Sequence, residues 1–232
     1  IVVAYKTGKS HYLGNVVYYV GKNSGAAYSE YILVDGQQRV TTILLLLCAI
    51  RSLVSDDIKK SINQRYLKND TSSDKFRIRL KQTSYDTDSF IAVVDDMDLT
   101  QYSKSNVVKN YLHFIELLKE SSVSPEDIYN TIPKLEIVDV NLQINDDLTA
   151  VQTVFEKINS TGKKLTSADL IRNYLLLANN SNEQEELYKN YWVKIEQLVT
   201  NHYISKFARD YLIMNIYEDV AEADVYKMFK SH

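Results

Sequence analysis

The chain has 232 residues, 45% of them hydrophobic and 25% charged, with a formal net charge of −3. That balance suits a globular protein able to bury one good core or two small ones, and it excludes a disordered chain and a surface that is basic throughout. The one cysteine, Cys48, excludes an intrachain disulfide and fits a reducing compartment, so the cytoplasm is the expected location. The apolar run from Ile43 to Ile50 is too short to span a bilayer. The opening Ile1-Val2-Val3 has neither methionine nor a signal-peptide pattern, and together with the abrupt Met228-Phe229-Lys230-Ser231-His232 end it reads as an excerpt of a longer protein.

In chain order, Thr7-Gly8-Lys9-Ser10 resembles the end of a phosphate-binding P-loop. The full pattern needs a glycine five residues before Gly8, where Val3 stands, so the match is rejected. The stretches Asn15–Val20 and Tyr28–Val34 are rich in Val, Tyr and Ile around Gly21 and Gly25, and they predict an antiparallel hairpin. The second strand delivers Asp35-Gly36-Gln37-Gln38-Arg39 to the start of a long apolar helix, Val40 to Leu53. Such a junction suits anions, because the first-turn N–H groups have no intrahelical partner and the macrodipole adds roughly half a positive charge. Arg39 adds a donor fork matched to phosphate oxygens, and Gly36 permits close approach or positive φ. Asp35, Gln37 and Gln38 are candidates to hold a metal-bound water, a ribose or a base, with Thr41 in the first turn. A capped, buried strand–helix turn accounts for the same residues. The helix is apolar nearly all round, so protein should surround it until Arg51–Asp57 returns to water.

Residues Ile58–Lys68 are polar and ambiguous, and Asn69–Asp74 reads as a loop. Phe76-Arg77-Ile78-Arg79-Leu80-Lys81 alternates strictly, which predicts a strand with Arg77, Arg79 and Lys81 on one face. This is the candidate nucleic-acid strip, although a solvated strand face explains it equally well. Val107, Val108, Tyr111, Leu112, Ile115 and Leu118 predict an amphipathic helix over Asn106–Lys119. Ser124-Pro125-Glu126-Asp127 reads as an N-cap, a first-position proline and first-turn acids, followed by a short helix that breaks near Pro133. Val138–Ile144 alternates, with Val138, Val140, Leu142 and Ile144 expected inward.

Asp146 and Asp147 open a predicted helix with Val151, Val154, Phe155 and Ile158 buried, ending at a Gly162 cap. Thr166 and Asp169 are spaced as a capping box for the next helix, whose buried stripe is Leu170, Ile171, Tyr174, Leu175 and Ala178. Asp169, Arg172 and Asn173 share its less apolar side, and Asn159, Lys163 and Lys164 lie in the preceding loop. The residues alone favour an Asp169–Arg172 pair and a solvated lysine loop over a binding wall. From Glu183 onward the chain reads as helical, with one stripe at Leu187, Tyr188, Tyr191, Trp192, Ile195 and Leu198 and another at Phe207, Tyr211, Leu212 and Ile216. Most of the tyrosines here are expected in the core rather than as base-stacking platforms.

Two blocks carry a family resemblance. Leu33-Val34-Asp35-Gly36-Gln37-Gln38-Arg39-Val40-Thr41-Thr42-Ile43 resembles the signature of the N-terminal domain of GmrSD-type restriction systems, a family that includes the SspE and BrxU types of phage-defence protein. Val154 to Leu165 (VFEKINSTGKKL) with Ala168-Asp169-Leu170-Ile171-Arg172-Asn173-Tyr174 is similar to its second recurring block, and His11–Val17 to its upstream strand. The resemblance implies a ParB/sulfiredoxin-like core, binding and hydrolysis of a nucleoside triphosphate with Mg²⁺, and control of a nuclease that acts on modified or foreign DNA. It also implies roles at matching positions. Asp35, Gln37, Gln38 and Arg39 would be catalytic, with Asp35 the metal-orienting residue. Gly36, Arg39, Thr41, Asn159, Lys163, Asp169, Arg172 and Asn173 would bind the nucleotide.

The expected fold class is α+β, a small β-containing core followed by a mainly helical region. The expected organisation is one domain over 1–232 in three stretches: 1–54, 55–145 and 146–232. The scattered histidines His11, His113, His202 and His232 give no zinc spacing, and no His-Asn-His nuclease centre is present; the resemblance implies that a nuclease, where the family has one, lies in a separate C-terminal domain, so this chain is not expected to cleave DNA alone. The alternative function is a non-catalytic module that binds modified DNA or a partner nuclease through Arg77, Arg79 and Lys81. A purely structural role for the glycine turn is a third reading.

Overall fold

A computed structural model describes the chain except residues 22–23, 25–28, 70–76, 83–85, 144–152, 155–156, 158–164, 178–182, 184–185, 200, 217 and 232. The fold is α+β, as expected. Where the sequence shows no linker, the structure divides into two compact units, Ile1–Gln143 and Ile144–His232.

The first unit begins with helix α1, Val2–Thr7. Gly8 ends it with φ 69°, so the P-loop-like stretch is a left-handed helix C-cap, the position glycine occupies without a Cβ penalty. Strand β1, His11–Val20, is the centre of a three-stranded sheet ordered β2-β1-β3. It pairs antiparallel with β2, Tyr31–Asp35, giving the predicted hairpin, and parallel with β3, Leu135–Leu142. Two register shifts interrupt the pairing. Val17 faces Asp35 while Tyr18 faces Leu33, so Val34 is extra on β2; Tyr12 and Gly14 face Glu136 and Ile137, so Leu13 is extra on β1. The inward assignment of Val138 does not hold, since it is 49% exposed. β3 lies at the edge of the sheet, where alternation in sequence does not guarantee a covering layer.

Helix α2, Gln37–Arg51, follows β2 directly and is the spine of the core. Leu45, Leu47, Cys48, Ala49 and Ile50 are each at most 2% exposed. They pack with Ile62 of α3 (Asp56–Ile62), Phe90, Val93 and Val94 of α4 (Thr87–Val94), Val107, Val108, Tyr111 and Leu118 of α5 (Asn106–Glu120), and Ile128 of α6 (Pro125–Thr131). Burial pushes the Cys48 thiol up to about 12, so it stays protonated and inert. The helix start read at Ser124 is realised: Ser124 Oγ accepts from the Asp127 N–H at 3.1 Å, with Pro125 at the first position, whereas the start expected at Asp146 and Asp147 lies outside the described residues. Leu112, placed inward by periodicity, is 47% exposed because the buried arc of α5 is narrower than the apolar one.

Arg51 overturns the expectation that the end of α2 returns to water, being 2% exposed. Its Nη1 donates to Val94 O at 2.7 Å and Asn63 Oδ1 at 2.8 Å, and its Nη2 to Val93 O at 3.1 Å and Asp96 Oδ1 at 2.6 Å. The two carbonyls belong to the last turn of α4, where Val93 O has otherwise only the long bond from the Asp96 N–H at 3.5 Å, so one guanidinium caps α4 from the end of α2.

In the second unit, helix α7, Ser167–Leu177, packs with α9, Asn201–Ile216, and α10, Val225–Ser231. Ile171, Leu212, Val220 and Val225 form its small buried cluster. Tyr174 stands edge-on to Tyr226 and Phe229, with ring centroids 6.4 and 6.3 Å away. A π-helical turn, Tyr188–Trp192, leads into the short α8, Val193–Leu198. Within these helices the predicted aromatic core is only half right. Tyr188 is buried, but Tyr191 is 65%, Phe207 58% and Tyr211 51% exposed.

Candidate functional site

Two glycines shape the candidate site, Gly36 in the turn between β2 and α2 and Gly14 in β1. Gly36 is the N-cap of α2 with φ 88°, and a Cβ there would stand 3.0 Å from both Asn15 O and Val16 Cγ2, against β1. Its lack of a side chain therefore serves packing as well as backbone conformation. The first intrahelical bond runs from Val40 N to Gly36 O, so the amides of Gln37, Gln38 and Arg39 precede the helical ladder, and the N-cap offers no side chain to satisfy them. Gln37 folds back, its Nε2 donating to Leu33 O at 2.9 Å. Gln38 is exposed.

Arg39 crosses from α2 to β1. Its Nη1 donates to Asn15 O at 2.6 Å and lies 3.6 Å from Asp35 Oδ2, while 41% of its side chain stays exposed. The seat for the guanidinium is Gly14, at the β1 bulge with φ 113°; a Cβ on Gly14 would come within 2.8 Å of Arg39 Nε. Beside it the Tyr12 hydroxyl donates to Asn15 Oδ1 at 2.5 Å. On the other flank Thr41 Oγ1 accepts from Gln82 Nε2 at 3.3 Å. Sequence reasoning assigned no role to Tyr12, Gly14, Asn15 or Gln82. An isolated glycine inside a strand pattern, with the register it implies, was the available signal for Gly14. Nothing local marked the others.

The arrangement offers uncommitted first-turn amides, a helix dipole of positive sign, one guanidinium and one carboxylate at one edge of the sheet. It can bind an oxyanion, with Asp35 beside it. Among the described residues no group of three or more His, Cys, Asp or Glu side chains is placed to hold a metal ion unaided. A single carboxylate fits Mg²⁺ that is brought by phosphate oxygens, the usual mode for that ion.

The second predicted block belongs to the other unit. Asn159 and Lys163 lie outside the described residues. Thr166 and Asp169 form the predicted capping box, with the Asp169 N–H donating to Thr166 Oγ1 and the Thr166 N–H to Asp169 Oδ2, each at 3.2 Å. Arg172 Nη2 is 3.5 Å from Asp169 Oδ1, and its Nη1 donates to Glu196 Oε1 at 3.2 Å. Glu196 also accepts from Trp192 Nε1 at 2.8 Å and from the Tyr188 hydroxyl at 3.2 Å. Arg172 thus ties α7 to α8 within its own unit. Asn173, next to it on α7, is half-buried.

The predicted basic strip is not a strand. Ile78 makes one isolated antiparallel bridge with Lys68, and the flanking residues are bends. Arg77 grips Asp95 with both Nη atoms, at 2.7 and 2.6 Å, and Arg79 donates to Lys68 O and Gln64 O at 3.1 and 2.8 Å. Lys81 is exposed. Alternation arose here because each arginine has its own structural partner, not because one sheet face meets water. Arg77 first, and Lys68 after it, hold the Asp95 carboxyl down from 3.8 to about 2, against the opposing effect of burial. A carboxyl depressed in the folded state stabilises fully above its unfolded value near 4, and the contribution is lost as pH falls toward 2. Asp95→Asn is expected to cost about 2 kcal/mol at pH 7 and to flatten the acid limb between pH 4 and 2. Urea titrations at several pH values check this, and a variant as stable as wild type at pH 7 would mean the pair is screened.

The profile of one family, described as the N-terminal domain of GmrSD restriction endonuclease, matches residues 4–176. The match takes in the glycine turn, the β1 bulge and the Asp169–Asn173 block. Comparison with curated proteins finds no match.

Proposed function

The chain belongs to the GmrSD restriction-endonuclease N-terminal domain family, and from that premise we propose that it binds a nucleoside triphosphate at the start of α2 and hydrolyses it slowly, as the regulatory part of a restriction or phage-defence protein. The supporting observation is the α2 N-terminus. Three amides precede the helical ladder, the N-cap is a left-handed glycine pressed onto β1, and Arg39 is seated over Gly14 with much of its side chain open to solvent. Amides and dipole would take one phosphate, and the Arg39 fork a second set of oxygens. Asp35 would orient water on a phosphate-bound Mg²⁺, which supplies charge neutralisation when present, and Gln38 would position the attacking water. Control of a nuclease that acts on modified DNA is the biological role this reading serves.

Thermal shift with each of the four ribonucleoside triphosphates and Mg²⁺ tests it. A ligand that binds only the folded state stabilises by about 2.7 kcal/mol at a hundred times its Kd. Wild type should show a shift that Arg39→Ala abolishes; equal shifts in both, or none in wild type at millimolar triphosphate, would sink the assignment.

A further inference from the structure

Gly14 meets the flat face of the Arg39 guanidinium, not its edge. A Cβ built on Gly14 would stand 2.8, 3.1 and 3.4 Å from Nε, Cζ and Nη2. An atom lying in the guanidinium plane, beyond the Nε–Nη2 edge, would be farther from Cζ than from either nitrogen. Here Cζ has the intermediate distance, so the position lies beneath the plane and the edge stays clear of Gly14. Nη1 is the anchored corner, donating to Asn15 O at 2.6 Å and standing 3.6 Å from Asp35 Oδ2. Nε and Nη2 have no hydrogen-bond partner among the described residues, and 41% of the side chain is exposed. One corner is tied to β1 and one whole edge is uncommitted. Two parallel donors on one edge match two oxygens of a single phosphate.

The geometry points to Gly14 as a positioning residue for the phosphate ligand: the room it leaves beneath the guanidinium holds Arg39 with its Nε–Nη2 edge set as a two-point donor. This deepens the triphosphate reading and rests on it. A side chain at position 14 would lift the guanidinium from the strand and part Nη1 from Asn15 O, so the fork would have to be ordered by the ligand itself. The backbone also asks for glycine here, because the bulge at Leu13 leaves residue 14 with φ 113°. The two demands differ in consequence. A glycine kept only for its φ supports the strand whatever stands at position 39, whereas a glycine kept as a shelf matters to the ligand only while a planar guanidinium lies on it. The group recognised is then an oxyanion with two oxygens to share, as on a phosphate, and not any anion drawn by charge alone.

A double-mutant cycle on Gly14 and Arg39 tests it, read by isothermal titration on the full chain as the affinity for each of the four ribonucleoside triphosphates with Mg²⁺. With Arg at position 39, Gly14→Ala should weaken binding about tenfold or more. Arg39→Lys keeps the charge but loses the planar fork, and it should weaken binding about as much. In the Arg39→Lys background, Gly14→Ala should change the affinity by less than about twofold, since no flat group remains to be displaced. The melting temperature without ligand reports the backbone cost of Gly14→Ala separately. Equal losses in both backgrounds would assign the glycine to strand geometry alone and overturn the proposal, as would full affinity in Gly14→Ala, while the triphosphate reading stood in either case. No binding by wild type would remove that reading and this inference together. Should Gly14→Ala fail to fold, Arg39→Lys decides: a tenfold loss upholds the fork, and retained wild-type affinity would show that charge suffices and overturn it.

Discussion

Replacing Arg51 by alanine should lower the stability of the first unit by about 3–4 kcal/mol, the largest effect expected of a single polar residue here. The guanidinium is 2% exposed and holds four acceptors, of which two are carbonyls at the end of α4. Without it, Val94 O loses its donor in a place water reaches poorly and its desolvation cost stands uncompensated, while Val93 O keeps only the long bond from the Asp96 N–H at 3.5 Å. Asp96 contributes less to the loss, because its side chain is 64% exposed and can be hydrated. Two opposing factors keep the figure from rising further. Burying a guanidinium is itself costly, and Arg51 Nε lies buried without an acceptor. Arg51→Met preserves most of the volume, so the difference between the two variants separates packing from hydrogen bonding. Urea unfolding at constant m-value measures both. A loss below about 1 kcal/mol for alanine would show that the burial cost cancels the four bonds.

Gly36→Val should cost about 3 kcal/mol or more, and Gly8→Val roughly half of that. Both glycines have positive φ, 88° and 69°, so a β-branched residue suffers a comparable backbone penalty at each. They differ in surroundings. A Cβ at Gly8 meets nothing within 4 Å, whereas one at Gly36 meets Asn15 O and Val16 of the central strand at 3.0 Å. The difference between the variants is therefore the steric contribution alone, about 1–3 kcal/mol for overpacking against backbone that cannot move aside. Paired denaturation curves measure it. Equal losses would mean that the sheet yields and that the turn is held only by its dihedral angles. Because β1 supports the first turn of α2, Gly36→Val should also weaken any triphosphate-induced thermal shift, while Gly8→Val should leave it intact.

Much of the first unit was legible because its signals are local. Ser124-Pro125 announces a helix start through a cap that reaches only three residues along the chain, and in the second unit Thr166…Asp169 does the same. Tyr31–Asp35 and the apolar run after it fix a strand feeding a helix, and Gly36 fixes the turn between them. The Arg77–Lys81 strip misled for a physical reason: period-two alternation is produced equally by a strand and by successive side chains that each have a separate partner. The seat of Arg39 left only an isolated strand glycine as its trace in the sequence, because it is made by a strand more than twenty residues upstream, and the bulge that presents Gly14 exists only once β3 has paired with β1.

Local sequence settles the α+β class, the family and the strand–glycine–helix junction, since caps, turns and apolar runs act within a few residues. Tertiary packing alone decides which of two equally apolar rows of α9 is core. Ile204 and Leu212 are buried and Phe207 and Tyr211 are not, although all four obey the same helical period. Periodicity marks where a helix has apolar faces, whereas the neighbours that bury one of them, here α7 and α10, come from other parts of the chain. The same holds for Arg51. Its position at the end of an apolar helix marked it for water, and only the arrival of the α4 carbonyls made a buried cap of it.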